Sequence, residues 1–91
     1  MKYVITWSVT NENYKAAIKK FLDTGAPPPA GVKMLARYHG LEGSTRGFIV
    51  AESSDCKGIY TWLADWMQLV SFEVVPVVED AEAAAILQRV K

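Results

Sequence analysis

Cysteine occurs once in this 91-residue chain, at position 56. A single thiol excludes an intrachain disulfide and a thiolate metal cluster. Histidine is as scarce, with His39 alone. One imidazole and scattered carboxylates give no metal-ligand spacing, so neither a metal nor a cofactor is expected. An excess of one charge sign is missing too: Lys plus Arg and Asp plus Glu number 10 each, and no basic run occurs. That disfavours nucleic-acid binding through phosphate neutralisation. No apolar run approaches the roughly 20 residues that span a bilayer, so no membrane partner is expected. The opening MKYVITWSV lacks the long apolar region and small-residue cleavage site of a secretory leader. Together with the missing disulfide, this sets the expectation of a cytoplasmic protein.

Apolar surface, by contrast, is abundant. Hydrophobic residues make up 51% of the chain, including three Trp, four Tyr and three Phe. A single domain this short buries only a limited fraction of its surface. Part of that load is therefore expected in a second interface, which favours a homo-oligomer.

Val32 to Ser53 organises the rest. Two runs of period 2 flank the turn Leu41-Glu42-Gly43-Ser44 and read as a β-hairpin. Pairing Gly40 with Thr45 would set His39 opposite Arg46, Arg37 opposite Phe48 and Leu35 opposite Val50. One face then gathers Val32, Met34, Ala36, Tyr38, Gly47, Ile49 and Ala51. The other mixes Leu35, Phe48 and Val50 with Lys33, Arg37, His39, Arg46 and Glu52.

Around the hairpin the chain reads in order. Lys2 to Val9 is β-branched and aromatic, a first strand. Asn11 or Asn13 caps a helix whose stripe is Tyr14, Ala17, Ile18, Phe21 and Leu22, with Gly25 as its stop. Thr24 to Gly31, TGAPPPAG, stiffens toward polyproline II. It reads as a rigid spacer, with a flap over a pocket as the alternative. Ser53-Ser54-Asp55 precedes a helix from about Cys56 to Leu69, with Ile59, Trp62, Leu63, Trp66, Met67 and Val70 on its apolar stripe. Phe72 to Glu79 alternates as a last strand, and Pro76, which cannot donate to a ladder, makes it an edge strand or one that carries its proline amide outward. Asp80 caps a final helix, roughly Ala81 to Val90, with Ala84, Ile86, Leu87 and Val90 free to pack.

The order β-α-β-β-α-β-α predicts an α+β, ferredoxin-like domain over residues 1–91. Its four-stranded antiparallel sheet carries two helices on one face, plus a C-terminal helix. The first and third strands are central. The face bearing Arg37, His39, Glu52, Val75 and Val77 is expected to stay bare and to meet a second copy, giving a homodimer through the open sheet face.

Several stretches resemble domain-of-unknown-function family 3303. They are MKYVITWSV, FLDTGAPPPAGVKMLARYHG, RGFIVAESSD, and YTWLADW followed by FEVVPVVEDAEAAAIL. The most specific features are the Gly-x-Pro-Pro-Pro-x-Gly loop, the Arg-aromatic-His at positions 37 to 39, and Trp62 with Trp66. That family is similar to the dimeric α/β-barrel superfamily of cofactor-independent monooxygenases, dyp-type peroxidases, haem-degrading enzymes and EthD-like proteins. The resemblance implies a homodimer with a pocket between sheet and helices. It carries over no catalytic set, because one fold hosts many functions.

His39 is the residue whose ordinary pKa lies nearest neutrality, and it is the candidate catalytic group. Glu42 or Glu52 would orient it. The bland alternative is a solvated histidine at a strand end. Arg37 and Arg46 could fork onto a carboxylate or phosphate; an Arg37–Glu52 ion pair is the alternative. Trp7, Tyr38, Trp62 and Trp66 could line a small apolar ligand pocket with Arg37 and Glu52, or could simply be core. Cys56 reads as an inert thiol. Two functions remain open. One is a non-catalytic homodimer that binds a small organic ligand or a protein partner. The other is a cofactor-independent monooxygenase- or isomerase-like enzyme using His39, with Arg37 placing an anionic substrate.

Overall fold

A computed structural model describes all residues, Met1–Lys91. Four strands form one antiparallel sheet: β1 (Lys2–Ser8), β2 (Val32–His39), β3 (Arg46–Ser53) and β4 (Ser71–Val77). Their spatial order is β2-β3-β1-β4, so β1 and β3 are central and the other two are edges. The outer side of β4 has no strand to bond, which is where a proline such as Pro76 is tolerated. The helices are α1 (Tyr14–Thr24), α2 (Cys56–Ala64) and α3 (Asp80–Leu87), the last followed by a short 3-10 turn. The fold is the ferredoxin-like α+β arrangement that the element order predicts.

Local chemistry sets the element ends. Gly25 closes α1 in the left-handed conformation, its amide donating to the Phe21 carbonyl. Asp55 caps α2 by accepting from the Lys57 amide. Asn13 stands at the N-cap of α1 but makes no side-chain cap bond. α2 stops at Ala64, well before the expected Leu69, and Asp65–Leu69 continue as turns. Glu79 rather than Asp80 precedes α3, without a side-chain cap bond, so Asp80 begins the helix.

The core lies between α1, α2 and one sheet face. It holds Tyr3, Ile5, Val32, Ile49, Ala51, Ile59, Trp62 and Leu63. Burying these side chains contributes about 1.5–3 kcal/mol each, the main term holding sheet and helices together. Gly58 is the point of closest approach: a Cβ there would come within 2.8 Å of Ser53 Oγ and a Val32 methyl. What looks like a weak helix residue lets α2 settle on the sheet.

The hairpin departs from its simple register. Lys33 pairs with Glu52 and Met34 with Ala51, then the register shifts, so that Ala36 pairs with Val50 and Arg37 with Ile49. Leu35 is the extra residue of a β-bulge. Because side chains alternate with period 2, a one-residue shift carries everything beyond it to the opposite face. The expected pairs Arg37–Phe48 and His39–Arg46 are therefore replaced by Arg37–Ile49 and His39–Gly47. Arg37 and His39 lie on the helix side with Val32, Met34, Gly47, Ile49 and Ala51. Ala36 and Tyr38 lie on the open side with Phe48, Val50 and Glu52. The loop Gly40–Thr45 closes through Gly40 N–H to the Arg46 carbonyl at 2.8 Å, not through a Gly40–Thr45 pair.

Candidate functional site

A cleft opens between the helix layer and the sheet, near the hairpin turn. Its volume is about 100 Å³, and 12 of its 15 lining residues are hydrophobic. α1 contributes Ile18 and Phe21, β1 contributes Trp7, and Trp62 and Trp66 close the α2 side. The polar lining is Arg37, His39 and Ser44.

The bulge at Leu35 makes this set. It turns Arg37 and His39 inward, where each meets a specific neighbour. The His39 ring stands edge-on to Trp7, with centroids 5.2 Å apart. It is tilted against Phe21 at the same separation. His39 Nδ1 shares a hydrogen bond with Ser44 Oγ at 3.1 Å, which leaves Nε2 without a hydrogen-bond partner. The residue is exposed at the cleft mouth. Its orienting group is a serine hydroxyl and not Glu42 or Glu52. Glu42 is 3.3 Å from Arg46 on the surface, and Glu52 lies on the opposite sheet face, between Lys2 and Lys33 in the register.

Arg37 makes no pair with Glu52 either. Nη1 donates to the Ala26 carbonyl and Nη2 to the Gly25 carbonyl, both at 3.0 Å. The guanidinium carbon sits 5.1 Å over the Phe21 ring. Arg37 thus clamps the start of the proline loop and caps the carbonyl end of α1, where a cation is favoured. Partial burial lowers its pKa from the usual arginine value.

Two residues other than glycine adopt positive φ, Ala26 at 43° and Ser44 at 65°. Both line the cleft. Such conformations carry strain of about 1–3 kcal/mol each. At Ser44 the geometry aims the carbonyl at the Trp7 indole N–H, 3.1 Å away, and the hydroxyl at His39. At Ala26 it presents the carbonyl to Arg37.

Of the predicted site residues, Trp7, Arg37, His39, Trp62 and Trp66 come together at this cleft. Trp62 is buried in the core, and Trp66 stands half-buried just past α2 with the Lys20 ammonium 4.7 Å above its ring. Tyr38 and Glu52 do not join them. Tyr38 packs on Phe48, ring centroids 5.4 Å apart, on the open face. Sequence reasoning missed Ser44 and Phe21 as site residues. Phe21 was visible as part of the α1 stripe, whereas Ser44 acts through a left-handed backbone for which serine gives no signal. A second concavity of about 610 Å³ lies at the turn end of the open face; its lining includes Tyr38, Arg46, Phe48 and Glu73, and it shares Trp7 and His39 with the cleft. No three metal-ligating side chains converge anywhere. No helix is long and apolar enough to cross a membrane.

Several solved structures are similar in arrangement, among them the following three. A candidate antibiotic biosynthesis monooxygenase from Nitrosomonas europaea is 12% identical, with a TM-score of 0.49, covering 87% of this chain and 100% of its own. An uncharacterised protein from Thermotoga maritima is 14% identical, with a TM-score of 0.47, covering 85% and 96%. A candidate antibiotic biosynthesis monooxygenase from Deinococcus radiodurans is 12% identical, with a TM-score of 0.41, covering 86% and 92%. Curated proteins give no match. The match that identifies the chain is to a sequence family and runs from end to end: over residues 1–91 it belongs to the family described as Domain of unknown function (DUF3303).

Proposed function

We propose that this protein is a homodimeric binding protein that takes a small, largely apolar organic ligand into the cleft between its helices and its sheet. The carrying observation is the cleft itself. Protein interiors are close-packed, yet a domain with only 11 buried residues keeps an aromatic-walled space open beside its core. Its volume of about 100 Å³ is well below the roughly 300–1,000 Å³ of sites for drug-sized ligands. The ligand is therefore on the scale of one ring or a short chain. Trp7, Trp62 and Trp66 form the walls. His39 offers Nε2 at the mouth, and Arg37 adds positive charge behind the loop it clamps. Tyr38 and Glu52, on the open face, belong to the dimer surface in this reading. A reducing cytoplasm fits the exposed free thiol of Cys56.

The test is a titration with single-ring phenols and benzoates, followed by NMR at the three indole N–H groups. Shifts at Trp7, Trp62 and Trp66, with the Tyr38–Phe48 region silent, are expected. Perturbations confined to the open face would overturn the cleft reading.

The His39 geometry supports a second reading, a cofactor-independent monooxygenase- or isomerase-like enzyme. Its ring is fixed by Trp7, Phe21 and Ser44 while Nε2 stays free. Solvent exposure of the imidazole counts against a closed, water-excluded reaction site. The two readings separate on His39→Gln. A binding protein keeps its affinity within a few-fold, and turnover of a bound ligand, with or without dioxygen uptake, is absent from the parent. An enzyme shows turnover in the parent that the variant loses while still binding.

A further inference from the structure

We propose that α3 is an arm that packs against a second copy of the chain. This rests on the homodimer proposed above and names a part of its interface beyond the sheet. The first observation is the helix's own chemistry. From Ala83 to Leu87 it carries no polar side chain at all. Past its acidic first turn, Asp80 and Glu82, the helix is apolar all round, and such a stretch belongs inside a structure. Yet none of its residues is buried, and Ile86 and Leu87, together with Val90 in the 3-10 turn that follows, are among the most exposed aliphatic side chains.

The second observation is size. The single chain exposes 6523 Å², against about 5,300 Å² for a compact monomer of its mass. The excess of about 1,200 Å² exceeds the roughly 800 Å² that each partner contributes to a standard interface. Likewise the radius of gyration is 15.1 Å, where a compact chain of this length has about 12 Å. The molecule has the dimensions of one half of something.

Folded back on its own sheet, α3 would cover only part of the open face. Eight residues make a helix about 12 Å long and about 10 Å wide. Four strands at about 4.8 Å spacing, each roughly 23–27 Å long, present a far larger open face. Phe48, Val75 and Tyr38 on that face are exposed. A second copy covers the sheet and the arm together. Glu79, held by Lys2 at 3.1 Å, anchors the root of the arm beside the end of the sheet, so the two surfaces are continuous.

The experiment compares dissociation of the full chain with Ile86→Asp/Leu87→Asp and with Val50→Asp/Val75→Asp by sedimentation equilibrium. Both arm residues are exposed, so the arm variant folds, and circular dichroism verifies it. Its dimer Kd is expected to rise at least about tenfold. A Kd within about twofold of the parent overturns the arm proposal and leaves the sheet-face dimer standing. Loss of dimer in the arm variant with none in the sheet variant supports the arm and overturns the sheet face. A parent chain that stays monomeric overturns both. An independent readout is a spin label at Ala85→Cys in a Cys56→Ser background, mixed with unlabelled isotope-enriched chain. Broadening in the unlabelled copy is expected. No broadening in the unlabelled copy, with broadening of the open face when the spin-labelled chain is itself the isotope-enriched one, means that α3 folds back on its own subunit, and overturns the proposal.

Discussion

Replacing Arg37 with Met separates two roles that the residue could have. The guanidinium makes two hydrogen bonds to carbonyls at the end of α1, both at 3.0 Å, one part-buried and one exposed. A net value of about 1.5 kcal/mol suits the part-buried, charge-assisted bond and about 0.5 kcal/mol the exposed one. The contact over Phe21 adds about 0.5–1 kcal/mol. Met keeps most of the aliphatic packing, so the expected loss is about 2–3 kcal/mol. At about 4–8 °C per kcal/mol for a domain of this size, the melting temperature falls by about 10–20 °C. Urea titration followed by circular dichroism measures it, with an unchanged slope as the sign that only stability moved. Arg37→Lys supplies one compact ammonium in place of a fork and recovers less than half. The loss is the same at about pH 6 and pH 8. Burial lowers the Arg37 pKa in the folded chain, so the unfolded chain holds that proton more tightly. Stability then rises with pH only near that pKa, far above this range, where the group is charged in both states. A loss below about 0.5 kcal/mol would refute the clamp. It would also return Arg37 to the status of a free ligand-binding cation, since residues kept for binding are often neutral or costly for stability.

Two further substitutions probe the frame around the cleft. In Gly47→Ala the new Cβ would stand 2.3 Å from two Trp7 ring carbons and 2.4 Å from the Tyr38 carbonyl oxygen. Overpacking of that kind destabilises by about 1–3 kcal/mol, and adding Trp7→Leu restores only part because the carbonyl contact is backbone; a Gly47→Ala chain as stable as the parent would show that the Trp7 packing is wrong. Ile5 is fully buried at the centre of the sheet, so Ile5→Val is expected to lower stability by about 0.5–1.5 kcal/mol in denaturant unfolding, and a neutral result would place the core elsewhere.

How much of this was legible in the sequence depends on the kind of signal. Element order, the edge position of β4 and the stop at Gly25 were readable because each rests on a local physical rule: alternation, a missing proline donor, a left-handed cap. The length of α2 was not, because the Trp62–Trp66 spacing suits a continued helix equally well, and only the turn hydrogen bonds from Trp66 onward show that it ends. The faces of β2 were misread for a deeper reason. Hydrophobic alternation assigned Ala36 and Tyr38 to the interior and Arg37 and His39 to the outside, a choice that is right for an unbroken strand. One bulged residue, Leu35, reverses it, and neither glycine nor proline marks the spot. The reversal is tolerable because the inward cation finds the carbonyls of Gly25 and Ala26, just past the end of α1, and the face of Phe21, partners that exist only once the helix is in place. Its consequence is a division of labour. Had the strand run true, His39 and Arg37 would have sat on the open face proposed for the dimer, and the proposed chemistry and association would have competed for one surface. With the bulge, Tyr38 stacks on Phe48 where a second sheet can meet it, while His39 and Arg37 turn to the cleft. In the proposed reading, ligand binding and dimerisation can then be altered separately, one through Trp7 and His39, the other through Val50, Val75 and α3.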